Sequence, residues 1–158
     1  MSKSLKRVTR VLHEAGLDIT PLEMPDLTRT AAQAAAAAGC EIDQIAKSVI
    51  FACESSGRAI LFITAGGHQV DATKASALAG ESLGKADAAL IRAQTGFAIG
   101  GVAPVGHLTP IRAFMDPRLL DFNEIWAAAG TPRHIFPIAP DRLVTLAEAE
   151  TAAFTLSS

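Results

Sequence analysis

Two short apolar runs, Val49-Ile-Phe-Ala-Cys53 and Ala59-Ile-Leu-Phe-Ile-Thr64, flank the polar turn Glu54-Ser-Ser-Gly57. Neither run alternates apolar with polar residues, so each reads as a strand covered on both faces. Together they predict a hairpin buried on both sides. The rest of the chain supplies the cover. Leu5, Val8, Val11, Leu12 and Ala15 recur at helical spacing, with Gly16 as a stop. Thr30-Ala-Ala-Gln33 is a capping-box pattern that opens an alanine-rich helix ending at Gly39. Asp71 and Asp87 are helix caps for residues 72–79 and 88–95, which stop at Gly80 and Gly96.

Residues 17–27 carry Pro21 and Pro25 and read as extended or irregular. Ile42 and Ile45 predict a helical turn, which places Lys47 at its junction with the strand from Val49. Further strands are expected at Ile111–Met115, Arg133–Ile138 and near Ala153–Leu156, and a short helix from Pro140-Asp141 to Leu146. The segment Phe122–Ala129 holds Trp126 and ends at Gly130. Adjacent strand pairs with helices inserted between them predict an α+β fold around an antiparallel sheet; the strict alternation of a Rossmann order is absent.

Composition bounds the function. A chain of 158 residues with 19% charged residues suits one domain with a true core. No apolar run reaches the roughly 18 residues of a membrane helix. The N-terminus has no apolar signal region, and Cys40 and Cys53 show no metal-type spacing, so a reducing cytoplasm is expected. A formal net charge of −2 argues against a protein that coats nucleic acid. Lys3, Lys6, Arg7 and Arg10 do share one face of the first helix, either as a patch for phosphates or as a solvated face.

The chemistry-bearing stretch is Gly96-Phe-Ala-Ile-Gly-Gly-Val-Ala-Pro-Val-Gly-His107, which holds four of the twelve glycines. It reads either as a tight turn or as a stiff loop with exposed amides able to hold a small polar group. Neither the dinucleotide nor the P-loop fingerprint is present, and no cofactor is expected. Lys47 can aim an ammonium at a carbonyl or phosphate, or interact with a helix C-terminus. His107 can donate a hydrogen bond, shuttle a proton or serve structure alone. Asp116, before Pro117, is a good helix cap. No nucleophile has a matching base, and no residues have zinc spacing, so an enzyme of this sequence would polarise an already reactive bond.

Ile45-Ala-Lys47-Ser-Val-Ile-Phe51, the glycine stretch through Pro104 and His107, Phe114-Met-Asp116 and Ala128-Ala-Gly130-Thr-Pro132 together resemble the YbaK/prolyl-tRNA synthetase-associated domain family, over residues 5 to 150. The resemblance implies one α+β domain over residues 1–158, with a mixed, mainly antiparallel, barrel-like sheet and surrounding helices. It implies hydrolysis of a mischarged aminoacyl-tRNA, such as tRNA(Pro) carrying Ser, Thr or Ala, assisted by the substrate's own ribose hydroxyl and by no metal. Lys47, Gly100 and Gly101 take the catalytic positions. Ser48, Ile50, Thr30, Pro104, Gly106, His107, Asp116 and Gly130 take substrate-binding ones, with segment 20–33 along the side-chain pocket. The implied partners are the tRNA acceptor end, reached by Lys3, Lys6, Arg7 and Arg10, and prolyl-tRNA synthetase; no membrane is involved. A non-catalytic binding module for a nucleotide or aminoacyl-adenosine is the competing reading, and a small regulatory subunit a third.

Overall fold

Capping chemistry sets the helix boundaries in the structure, a computed structural model that describes residues 2–25 and 30–156. Helix α1 (Lys3–Glu14) starts where Ser2 Oγ accepts from Leu5 N at 3.1 Å, and buries Leu5, Val8 and Leu12. After the short strand β1 (Leu22–Glu23), α2 (Ala31–Ala38) opens on the predicted capping box of Thr30 and Gln33. Strands β2 (Ile45–Cys53) and β3 (Ala59–Ala65) form the predicted hairpin. Then come α3 (Ala72–Ala79), β4 (Leu83–Lys85), α4 (Ala88–Thr95), β5 (Arg112–Met115), β6 (Ile125–Ala128), β7 (His134–Ile138), α5 (Pro140–Leu146) and β8 (Ala149–Thr151). Two 3-10 turns, Ile42–Gln44 and Pro117–Asp121, precede β2 and β6.

One mixed sheet runs in the order β1-β7-β6-β2-β3-β5-β8, with β4 attached to β2, and it does not close among the described residues. Pairing is antiparallel for β1/β7, β2/β3, β2/β4 and β6/β7, and parallel for β2/β6, β3/β5 and β5/β8. Central β3 is buried along its whole length. Phe62 stacks on Phe114 and meets Phe154 edge-on over one face, while Leu61 and Ile63 join Phe97 and Phe136 over the other.

Several details differ from the expectations. Strand β2 begins at Ile45, because Ile45 and Ala46 pair in parallel with Trp126 and Ala127. Lys47 is therefore the third residue of a strand, and the helical turn before it ends at Gln44. The hairpin is fully covered only on β3; β2 is half-buried from Lys47 to Ala52. The last strand lies at Ala149–Thr151, where β5 offers a parallel edge, and Thr155 makes only an isolated bridge to Val70. Strands β1 and β4 are too short to leave a periodic signal. Of the segment read as irregular, residues 26–27 lie outside the described residues.

Candidate functional site

Strand β2 has two part-time neighbours on one edge. It pairs with β6 through Ile45 and Ala46, and with β4 from Phe51 to Cys53. Between them, residues 47–50 have no strand partner on that edge among the described residues. The pairing parity shows which groups are left free. The Ile63 carbonyl accepts from Asp116 N at 2.8 Å, on the β5 side, so Ile63 and its partner Ser48 turn their main-chain groups away from each other. The Ser48 N–H and C=O consequently point into the gap.

The gap is the floor of a cavity of about 610 Å³. Thr30, Ala31 and Ala34 from α2 wall one side, Leu83 to Ala86 and Ile91 another, and Trp126 to Ala128 a third. Ile99, Gly100 and Val102 close it from the glycine loop. There the Gly101 amide donates to the Ala98 carbonyl at 3.0 Å, closing a tight turn whose third residue, Gly100, has φ +90°. A side chain resists that value, which is why the turn needs glycine there. This geometry commits the Gly101 amide inside the turn. The amides of Gly100 and Val102 have no partner among the described residues and belong to residues of the cavity wall.

Lys47 is the half-buried cation of the wall. Its Nζ donates to the His68 carbonyl oxygen at 2.6 Å. No carboxylate among the described residues lies within ion-pairing distance of it. Burial pulls its pKa below the ordinary lysine range, against the opposing pull of Asp116 and Asp43. Ser48 contributes a hydroxyl that is buried and without a hydrogen-bond partner among the described residues. Lys85 is a second cation on the wall, exposed at the end of β4.

The structure thus gathers Thr30, Lys47, Ser48, Ile50 and Gly100 at one cavity. The other expected residues stand behind it. Gly101 packs against the Thr131 main chain, where an added Cβ would come within 2.8 Å, and Pro104 is buried with Val102, Ala103 and Val105. The Gly106 carbonyl accepts from Arg7 Nε at 2.7 Å. His107 Nε2 donates to the Ala103 carbonyl at 2.8 Å and meets Phe97 edge-on, and burial pushes its pKa down. Gly130 lies against the Ser4 main chain. Asp116, 2% exposed, accepts from Ala65 N, from His68 Nδ1 and from Arg118 N, at 3.1, 2.7 and 3.0 Å.

Of the basic residues on α1, Lys3, Lys6 and Arg10 are exposed, whereas Arg7 turns under the glycine loop with its guanidinium 4.6 Å from the Phe97 ring centre. In segment 20–33, Thr30 and Ala31 reach the cavity, and residues 26–29 lie outside the described residues.

Sequence reasoning missed His68 and Asp43. The signal is the Gly66-Gly67 pair just after the second apolar run. An added Cβ at Gly66 would strike the Ile42 carbonyl oxygen, and one at Gly67 would come within 2.5 Å of Asp43 Oδ1. Among the described residues, no group of three or more His, Cys, Asp or Glu side chains converges as a metal site. No described helix is long and apolar enough to cross a membrane.

Residues 26–146 match the profile of the aminoacyl-tRNA editing domain. A curated relative, the uncharacterized protein YwhH of Bacillus subtilis (strain 168), is 29% identical over 126 residues, which make up 80% of this chain and 78% of YwhH. Among solved structures, one studied as a candidate trans-editing enzyme for prolyl-tRNA synthetase is 42% identical and superposes with a TM-score of 0.92 over 99% of both chains. A structure from work on epitope grafting onto scaffold proteins is 41% identical, with a TM-score of 0.93 over 99% of this chain and 100% of that one.

Proposed function

The chain belongs to the aminoacyl-tRNA editing domain family, and from that premise we propose that it hydrolyses the ester of a mischarged tRNA in the cavity over β2. The observation that carries this reading is Lys47. It is a half-buried ammonium with no carboxylate in ion-pairing distance among the described residues, donating to one neutral acceptor, on a wall that also carries the Gly100 turn. An ammonium so placed keeps its charge for a substrate oxygen.

In the proposed reaction a water adds to the aminoacyl carbonyl carbon. The carbonyl oxygen gains negative charge beside Lys47 and the amides of Gly100 and Val102. Collapse breaks the bond to the ribose oxygen, which leaves as a hydroxyl after taking a proton. The neighbouring ribose hydroxyl of the substrate relays that proton from the attacking water, which fits a wall whose buried Ser48 hydroxyl has no hydrogen-bonded base among the described residues. Donors aimed at a developing oxyanion contribute about 3–4 kcal/mol each.

The likeness to a candidate trans-editing enzyme for prolyl-tRNA synthetase supports tRNA(Pro) as the carrier and that synthetase as a partner. Ala31, Ala34, Ala127 and Ala128 in the wall, beside Ser48, suit a small residue such as Ser, Thr or Ala. Steric fit alone separates a methylene by about 1–3 kcal/mol, so the Ser48 hydroxyl is the group to discriminate by chemistry.

The test is deacylation of tRNA(Pro) charged with Ala, Ser, Thr, Cys or Pro, by wild type and Lys47→Ala. Release of one small non-cognate residue is expected, with kcat falling about 100- to 1,000-fold in the variant. Tight binding of the charged acceptor end with no release from any species would instead favour the binding module.

A further inference from the structure

The acceptor that holds Lys47 is not on a strand. It is the carbonyl of His68, at the end of the turn Ala65-Gly-Gly-His68, closed by His68 N donating to the Ala65 carbonyl at 2.9 Å. Two adjacent glycines leave this turn easily deformed. Three contacts stiffen it. Gly66 abuts the Ile42 main chain. The Gly67 amide donates to Asp43 Oδ1 at 2.8 Å, while Asp43 Oδ2 accepts from Arg118 Nε at 3.0 Å. The third is a side chain, the His68 imidazole, whose Nδ1 lies 2.7 Å from Asp116 Oδ2.

Asp116 is anchored independently. It sits in the chain just beyond β5, and its two oxygens also accept from Ala65 N and Arg118 N. Because Oδ2 is a carboxylate oxygen, Nδ1 carries the proton. A charge-assisted bond of this kind is among the stronger ones available to fix a side chain. Asp116 Oδ2 therefore spans both ends of the turn, taking the amide of Ala65 at its start and the imidazole of His68 at its end.

We infer that Asp116 and His68 form a positioning clamp for Lys47, in which the buried carboxylate grips the imidazole and so fixes the carbonyl that aims the ammonium into the cavity. The inference rests on the reading of Lys47 as the cation at the ester carbonyl. Neither residue lines the cavity: Asp116 is enclosed, and His68 reaches Lys47 through its main chain. The design orients the lysine without neutralising it. A carboxylate in direct contact with Nζ would hold it equally well, but would cancel the charge the reaction uses.

The geometry makes a sharp distinction between replacements. Asparagine places its side-chain N–H₂ where histidine has Nδ1, one bond beyond Cγ. Glutamine places it one bond further. His68→Asn should keep the clamp, whereas His68→Gln and His68→Ala should lose it. Loss of an aimed cation costs about 10- to 100-fold in kcat. KM should change little, because the cavity wall is untouched.

The experiment measures kcat and KM for the edited species in these three variants, each checked for folding by thermal melt. In parallel, lysines are methylated with ¹³C-formaldehyde and the Lys47 methyl signal is assigned through Lys47→Arg. The expected result is a distinct, dispersed Lys47 signal in wild type and His68→Asn. In His68→Ala and His68→Gln it should collapse to the averaged position of exposed lysines, with kcat lowered to match. A Lys47 signal unmoved in His68→Ala, or a His68→Asn variant as impaired as His68→Ala, overturns the clamp. Should wild type release no amino acid from any tRNA, the hydrolysis reading fails, and the methyl signal still decides whether the clamp exists.

Discussion

His107 shows how a residue that looks chemical in a sequence can serve shape. Its ring closes the glycine loop onto itself by donating to the Ala103 carbonyl, and Phe97 covers its edge. Burial is the leading influence on its pKa and lowers it; the nearby charge of Arg7 acts in the same direction, and the bond to Ala103 opposes both. In the unfolded chain the imidazole titrates near its ordinary value of about 6.5. Between the depressed folded value and that ordinary one, the unfolded state binds more protons, so stability rises with pH in this window. The contribution is complete above about pH 6.5 and is lost as the solution is acidified below it. Urea midpoints measured from pH 7.5 to 5 should fall for wild type and fall less for His107→Gln. Parallel curves would show that His107 does not carry the dependence.

At the scale of elements, α1 divides its basic residues between two tasks. Lys3, Lys6 and Arg10 face solvent, but Arg7 ties the helix to the glycine loop through the carbonyls of Gly106 and Thr95. Arg7→Ala leaves those acceptors without their cation and should lower unfolding free energy by about 2 kcal/mol. The triple change of Lys3, Lys6 and Arg10 to Ala should leave the melt near wild type. It should instead raise KM for charged tRNA and flatten its dependence on salt. Paired melts and salt titrations separate the two roles.

The same helix shows what was legible in the sequence. Its apolar face, its stop at Gly16 and the capped helices at Thr30, Asp71 and Asp87 follow from local chemistry, and each lies where the pattern places it. The hairpin partners were legible because uninterrupted apolar runs leave few options. Arg7's inward turn was not, because i, i+3 spacing cannot distinguish a solvated arginine from one that reaches a loop 99 residues away. Nor could the start of β2 at Ile45 be read locally, since β6 extends it by pairing Ile45 with Trp126, far downstream. The candidate site was half legible. Lys47, Ser48 and the Gly100 turn lie at the cavity, but the support from His68 and Asp43 exists only once the sheet brings distant segments together.

Across the whole molecule, the cavity occurs where the sheet branches. Strand β2 serves β3 on one edge and divides the other between β6 and β4, so the sheet opens in its middle rather than at its rim. A formal charge of −2 on a chain of this size leaves little long-range attraction for a polyanion. Recognition then depends on what this opening can hold, with Lys85 exposed on its wall to meet a phosphate. The opening also marks itself in time. Amide protons of Lys47 and Val49 are locked against β3, whereas that of Ser48, between them, has no strand among the described residues to hold it. In deuterated water Ser48 should lose its proton at the pace of a loop while its two neighbours keep theirs at the pace of the core. A ligand that fills the gap should slow that site, so a residue in mid-strand becomes a clock for occupancy that needs no turnover to be read.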